Sequence, residues 1–249
     1  MIVIKTEAEI ERMKVAGKVV AQVLEILREA IKPGVSTKQL DTIAYNKIKE
    51  LGAEPAFLNY HGFPASICAS INEELVHGIP SEQRILKQGD IISIDTGAKI
   101  GGFYGDAAIT VAVGKISHEA QRLMDVTKQC LKLAIKEAKP GNYLGDIGYA
   151  VQKHAEANGM SVVRDFVGHG IGRALHEEPQ IPNFGNKGTG VLLEEGMVFA
   201  LEPMVNLGNF DVKVSDDNWK VVSKDGKINA HFEHTIAITK NGAKILTEL

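Results

Sequence analysis

Apolar and polar residues alternate with a period of two over IISIDTGAKIGGFYGDAAIT, from Ile91 to Thr110. That spacing predicts two β-strands around a Gly-rich turn, each with an apolar face and a polar face. Ile92 and Ile94 share one face of the first strand, and Ser93 and Asp95 share the other. On the second, Ala107, Ile109, Val111 and Val113 alternate with Asp106, Ala108 and Thr110. The two aspartates are therefore expected to face one another across the hairpin, which is costly unless something positive lies between them.

Elsewhere the period lengthens to that of a helix. Thr6 and Glu9 make a capping box ahead of Ile10, Met13, Val20, Leu24, Leu27 and Ile31, which predicts a helix to about Ala30, stopped by Lys32-Pro33-Gly34. Ser36 and Gln39 make a second capping box before Leu40, Ile43, Ala44 and Leu51, and Gly52 ends that helix. Residues 56–80 lose the helical period and read as strands and loops. From Ser117 a helix begins again, with Ala120, Leu123, Met124, Leu131 and Ala134 on one side, ending near Ala138.

The second stop signal, Lys139-Pro140-Gly141, lies 107 residues after the first, and Gly159 lies 107 residues after Gly52. The same offset lays LEEGMVFALE (193–202) on LKQGDIISID (86–95), so that Glu202 answers Asp95. The counterpart of Asp106 would be position 213, which is Lys213. The pattern reappears later, with Glu233, Ile236 and Ile238 matching Asp106, Ile109 and Val111 at an offset of 127. The second hairpin is thus expected to carry 20 extra residues, in the Asn206 to Gly226 region around Trp219. A fixed offset over separated segments predicts two similar halves, about 1–114 and 115–249, within a single α+β domain. Facing halves would gather four carboxylates: Asp95, Asp106, Glu202 and Glu233.

Composition narrows the class. A chain of 249 residues, 44 % of them hydrophobic, can bury a large core. The formal net charge of -3 supplies no basic field for a phosphate backbone, so nucleic acid is not expected as a primary partner. Two cysteines form no disulfide framework and fit a reducing cytoplasm. Neither a signal segment nor a membrane-spanning run is present, so no membrane partner is expected.

Acids that converge inside a protein must be protonated, paired with bases or coordinated to cations. The segments SIDTG, YGDAA, ALEPM and HFEHT contain no Lys or Arg, which points to metal. An oxygen-rich donor set favours a pair of hard or borderline divalent ions, about 3.5–4 Å apart in two-metal hydrolases. His169, between glycines in VGHGIGRALHEEP, is the candidate nitrogen ligand; His176 and His77 are further candidates, while His118 and His154 fall on helices. Competing motifs fail. HEEPQ at His176 has Gln180 where a zinc-protease HExxH needs His, and Pro179 breaks the helix. No GxGxxG or phosphate loop is completed. Cys68 as a nucleophile lacks a placed orienting acid.

With IDTG, GD, GHGIG, ALEPM and FEHT in order, nearly the whole chain resembles the type I methionine aminopeptidases of the pita-bread (creatinase/aminopeptidase) fold. The resemblance implies two pseudo-symmetric halves with helices outside and an antiparallel sheet within. It implies two divalent metal ions (Mn, Fe(II) or Co). Asp95 would bind the second, Asp106 and Glu233 would bridge, and His169 and Glu202 would complete the first. It implies attack by a metal-bridging hydroxide, Glu202 handling the proton, His176 steadying the oxyanion and His77 contacting the scissile nitrogen or its P1′ neighbour. The methionine pocket would be formed by Phe57, Tyr60, Phe63, Cys68, Met204 and Trp219, with His61 near the rim. Leu175 stands where relatives often have an aromatic residue, and His231 where Gln is frequent. The implied substrates are peptide or nascent-protein N-termini beginning with Met and followed by a small residue. A cytoplasmic monomer that acts near the ribosome is also implied. The alternatives are a prolidase or Xaa-Pro aminopeptidase, whose relatives usually add an N-terminal domain and further histidines, and a non-catalytic binding protein of the same fold.

Overall fold

The first capping box closes as the spacing predicts. Thr6 accepts from the Glu9 N–H and the Glu9 side chain accepts from the Thr6 N–H, opening α1 over Glu7–Ala30. Ser36 and Gln39 do the same for α2, Thr37–Glu50. Next in this computed structural model, which describes residues 1–249, come β1 (Glu54–Pro55), β2 (Ile67–Ile71), β3 (Glu74–Val76), β4 (Ile91–Ile100) and β5 (Phe103–Ala112). β4 and β5 are the predicted hairpin, turned by Gly101 and Gly102 at φ 59° and 82°, a region that glycine enters without a Cβ penalty. β4 is central: β5 pairs with one side, β1 and β2 with the other, all antiparallel.

The second half repeats the order. α3 (His118–Glu137) and α4 (Leu144–Ala157) precede β6 (Ser161–Val162), β7 (Gly168–Gly170), β8 (Glu177–Ile181), β9 (Val198–Leu201) and β10 (Met204–Asn206). Then follow β11 (Val212–Val214), β12 (Val221–Ser223), β13 (Asn229–His231), β14 (His234–Thr239) and β15 (Gly242–Ile245). The 107-residue offset recurs in the backbone itself. α4 begins and ends 107 residues after α2, and the isolated bridge Tyr143–Leu192 answers Ser36–Ile85. Gly141 donates to the Leu193 carbonyl as Gly34 donates to that of Leu86.

The interior belongs to both halves. A cluster of 43 buried apolar residues runs from Val20, Leu24 and Leu27 of α1, through Ile92 and Ile94, to Leu123, Phe199 and Ile236. α1 packs against β4 and β5, and α3 against β9, β10 and β13, so the helices cover the strands. The contact between α1 and β5 is tight enough to need glycine at 105, where a Cβ would lie 2.8 Å from the Gly17 nitrogen. Gly17 is itself needed against the C-terminal segment, its Cβ falling 2.1 Å from the Leu246 carbonyl oxygen. No helix is long and apolar enough to cross a membrane.

Register corrects two of the sequence expectations. Asp95 pairs with Ala108, and Asp106 pairs with Gly97. The aspartates share a face but are diagonal neighbours, and the site directly across from Asp106 is held open by a glycine. In the second half Leu201 pairs with His234 and Met204 with His231. This one register, carried through the break at Glu202-Pro203, sets Glu202 across from Glu233 and makes His231, 125 residues on, the counterpart of Asp106. The matching of Glu233 to Asp106 at 127 is therefore two residues off. A two-residue shift keeps every side chain on its face, so the hydrophobic pattern does not reveal it.

The extra residues of the second hairpin form β11 and β12, and β12 crosses to pair with β3 of the first half, Val221 against Val76. That excursion carries Trp219 to the seam between the halves.

Candidate metal centre

Side chains from both halves converge on this seam. Asp95 comes from β4 and Asp106 from β5; His169 lies on β7, and Glu202 and Glu233 sit at the breaks beside β9 and β14. Backbone contacts hold the two hairpins together here: Glu233 donates to the Ala108 carbonyl at 2.9 Å, and the Thr235 hydroxyl donates to the Asp106 carbonyl at 2.7 Å. His169 is flanked by glycines for a steric reason. A Cβ on Gly168 would lie 2.5 Å from the Ala200 carbonyl oxygen, and one on Gly170 would lie 2.2 Å from that of Glu178.

Ligand atoms of Asp106, His169 and Glu233 all lie within 4.8 Å of one another. The Nε2 of His169 stands 3.6 Å from Glu202 Oε1 and 4.0 Å from Asp106 Oδ2, too far for hydrogen bonds. Its Nδ1 donates to the Gly170 carbonyl at 2.9 Å, which leaves an Nε2 lone pair directed at the carboxylates. Burial pushes the His169 pKa down to about 3, so the ring is neutral.

The carboxylates carry the opposite perturbation. Burial pushes Asp95 up to about 7. Burial first, then the charges of the neighbouring acids, raises Asp106, Glu202 and Glu233 well above the usual carboxylate range. Asp95 Oδ1, Asp106 Oδ1 and Glu233 Oε1 are buried and accept no hydrogen bond. Only histidines, and no Lys or Arg, come within ion-pair distance of the four acids. Orphaned oxygens with no base to pair them, beside an imidazole lone pair, are what a divalent cation requires. The residues present fit such an ion.

An apolar cavity opens from this cluster. Phe57, Tyr60, Phe63, Cys68, His77, His176 and Trp219 line it, and Leu175 forms part of its wall. Val76, Phe166 and Val167 also line it and were not legible. Phe166 and Val167 lie in an aperiodic loop, and Val76 reaches the cavity only through the pairing of β3 with β12. Met204 is a correction. It does not line the cavity: it is fully buried with Leu75, Val163 and Val212 in a cluster that also holds the lining residue Val76, so it backs the wall. His61 is exposed at φ 49° and packs edge-on against Tyr60, so it borders the wall without forming it. The Tyr60 hydroxyl lies 2.8 Å from His176 Nδ1, and the ring centroids of His176 and His169 are 4.2 Å apart. His77, at φ 59°, meets Phe166 and Trp219 edge to face. Burial raises the Cys68 thiol well above its ordinary pKa, which leaves it an apolar wall residue and no nucleophile.

The model of metallopeptidase family M24 matches residues 11–240. The chain belongs to this family. Among M24 relatives, methionine aminopeptidase 1 of Bacillus subtilis is 54 % identical, with 100 % of each chain covered. The methionine aminopeptidase of Clostridium acetobutylicum is 51 % identical over 99 % of each. The crystal structure of methionine aminopeptidase from Thermotoga maritima superposes with a TM-score of 0.99 at 49 % identity, covering 100 % of each chain. The fold is the α+β pita-bread architecture. A prolidase from Pyrococcus horikoshii shares that fold at a TM-score of 0.80 and 24 % identity, and this chain spans 63 % of it.

Proposed function

We propose that the chain is an aminopeptidase that uses two divalent cations to remove an N-terminal methionine followed by a small residue. The observation that carries this is a buried cluster of four acids and one neutral imidazole at the end of an apolar cavity. The family and the full-length relatives support the substrate. Asp95, Asp106, His169, Glu202 and Glu233 would hold the cations, with Mn, Fe(II) or Co as candidates. When bound, such a pair supplies Lewis acidity and a water of lowered pKa.

The chain's own residues supply the rest. Phe57, Phe63, Cys68 and Trp219 take a thioether side chain against apolar, polarizable walls. A cavity ending at carboxylates accepts a chain end with its free α-amine and excludes an internal peptide. Glu202, 3.6 Å from His169 Nε2, would take up a proton and pass it to the leaving amine. The Tyr60 hydroxyl, 2.8 Å from His176 Nδ1, would donate to it when the ring carries its proton on Nε2, the tautomer that a donor to the developing oxyanion needs. His77, at the cavity wall, contacts the scissile nitrogen or the next residue.

The two halves, about 1–114 and 115–249, act as one catalytic domain. We further infer a cytoplasmic monomer acting on peptide and nascent-chain N-termini, near the ribosome.

Chelated protein is expected to be inactive, and Mn, Fe(II) or Co to restore cleavage of Met-Ala, Met-Gly and Met-Ser peptides. Equal or faster cleavage of Ala-Pro peptides would instead assign a proline-directed exopeptidase. Co-sedimentation with ribosomes and a sizing measurement test the last two inferences.

A further inference from the structure

Two matched backbone clamps lie at the centre of the site. The Thr235 hydroxyl accepts from the Asp106 N–H at 3.0 Å and donates to the Asp106 carbonyl at 2.7 Å. The Thr110 hydroxyl accepts from the His231 N–H at 2.9 Å and donates to the His231 carbonyl at 2.8 Å. Thr235 and His231 each follow their counterparts, Thr110 and Asp106, by the same 125 residues that the strand register gives. Asp106 and His231 thus occupy one position in the two halves. In one half it holds a carboxylate of the metal cluster, and in the other an imidazole.

That imidazole is 1 % exposed, and neither Nδ1 nor Nε2 has a hydrogen-bond partner. A neutral ring has one donor and one acceptor, and leaving either unmade in the interior is costly. Nε2 lies 3.9 Å from Glu202 Oε2 and 3.9 Å from Glu233 Oε2. His169 keeps its proton on Nδ1 because the Gly170 carbonyl accepts it there. No such acceptor meets Nδ1 of His231, so its Nε2 is free to carry the proton, and an N–H there attracts both carboxylates. Movement of about 0.7–1 Å brings either contact into hydrogen-bond range.

We propose that His231 is a sixth side chain of the metal centre, a positioning residue whose Nε2–H is shared between Glu202 and Glu233 and holds them in ligating orientation. This rests on the metal-centre reading above and adds a donor that stands behind the ligands. Outer partners of this kind typically contribute about 10–100-fold in metal affinity.

The test is calorimetric titration of the chelated full-length protein with Co(II) alone, comparing wild type, His231→Leu and His231→Gln. His231→Leu is expected to weaken Co(II) binding by about 10–100-fold, and His231→Gln to stay within about threefold of wild type, since an amide N–H supplies the same donor. Wild type that binds no Co(II) overturns the metal-centre reading and this proposal together. Wild-type affinity in His231→Leu overturns this proposal alone. Equal loss in both variants assigns the imidazole as a direct ligand and overturns the donor role. Should His231→Leu fail to fold, nitrogen NMR of the wild-type ring under Zn(II) titration decides. A proton retained on Nε2 at saturation supports the proposal, and its loss overturns it.

Discussion

Loading the site with a cation must drive protons out of it, and the amount follows from the perturbed acids. Asp95, raised to about 7 by burial, holds its proton at pH 6, where a free carboxyl is ionised. Asp106, Glu202 and Glu233 are shifted in the same direction, by burial and then by neighbouring charge. Ligation needs the ionised forms. Titration with Mn(II) in buffers of differing ionisation enthalpy should therefore report more than one proton released at pH 6. The number released should fall as the pH is raised through about 7, where Asp95 ionises on its own. Stability carries the same sign. A carboxyl with a raised folded-state pKa contributes stability that is present below its unfolded value near 4 and lost as pH rises through about 7. Metal-free protein should accordingly lose thermal stability from pH 5 to pH 8, and metal-loaded protein should not. Uptake without proton release at pH 6 would refute the reasoning, since it would mean that the buried acids are already ionised and paired.

Other perturbations read other parts of the molecule. Asp106→Ala removes a carboxylate from the centre of the cluster, and elemental analysis should find at least one equivalent of metal missing; two-metal stoichiometry would count against the assignment. His176→Ala should lower kcat by about 10²–10³, and Tyr60→Phe, which leaves the ring but frees its tautomer, by less; an equal effect on KM alone would remove His176 from the chemistry. Gly97→Ala places a Cβ 2.9 Å from both Ala56 Cβ and Phe57 Cε1; overpacking of about 1–3 kcal/mol should push Phe57 inward and raise KM for Met-Ala. An unchanged KM would show that Phe57 does not bound the pocket. Lys5, 3 % exposed, pairs with Glu177 at 2.7 Å beside His176. Lys5→Met should cost about 3 kcal/mol in urea unfolding, the low end for a buried pair, because Glu177 keeps the N–H groups of Arg173 and Ala174. A loss below about 1 kcal/mol, the scale of a surface pair, would refute it.

Much of the architecture is local and therefore legible. The capping boxes at Thr6 and Ser36 form because donor and acceptor lie three residues apart, so no tertiary information is needed to foresee them. Alternation in 91–110 specifies which residues share a face, and the fixed 107-residue offset announces a second copy. The five proposed ligands rest on the same kind of signal, acids on strands without neighbouring bases and a histidine between glycines, together with the family resemblance. The structure brings Asp106, His169 and Glu233 within 4.8 Å, with Glu202 beside them.

Pairing between distant segments was not legible. The sequence determined that Asp95 and Asp106 lie on one face; only the assembled sheet decided that they are diagonal, with Gly97 opposite Asp106. Matching acid to acid aligned Glu233 with Asp106, while the hydrogen-bonded register and the threonine clamps align His231 there instead. Met204 reads as a pocket residue beside Glu202, yet it is buried with Val163 and Val212. Trp219 reaches the cavity because β12 adds to β3, a pairing between segments about 145 residues apart. A hydrophobic pattern encodes face, and face is unchanged by a shift of two residues. Register and partner are selected only when both strands meet, and the geometry of this metal centre depends on that choice.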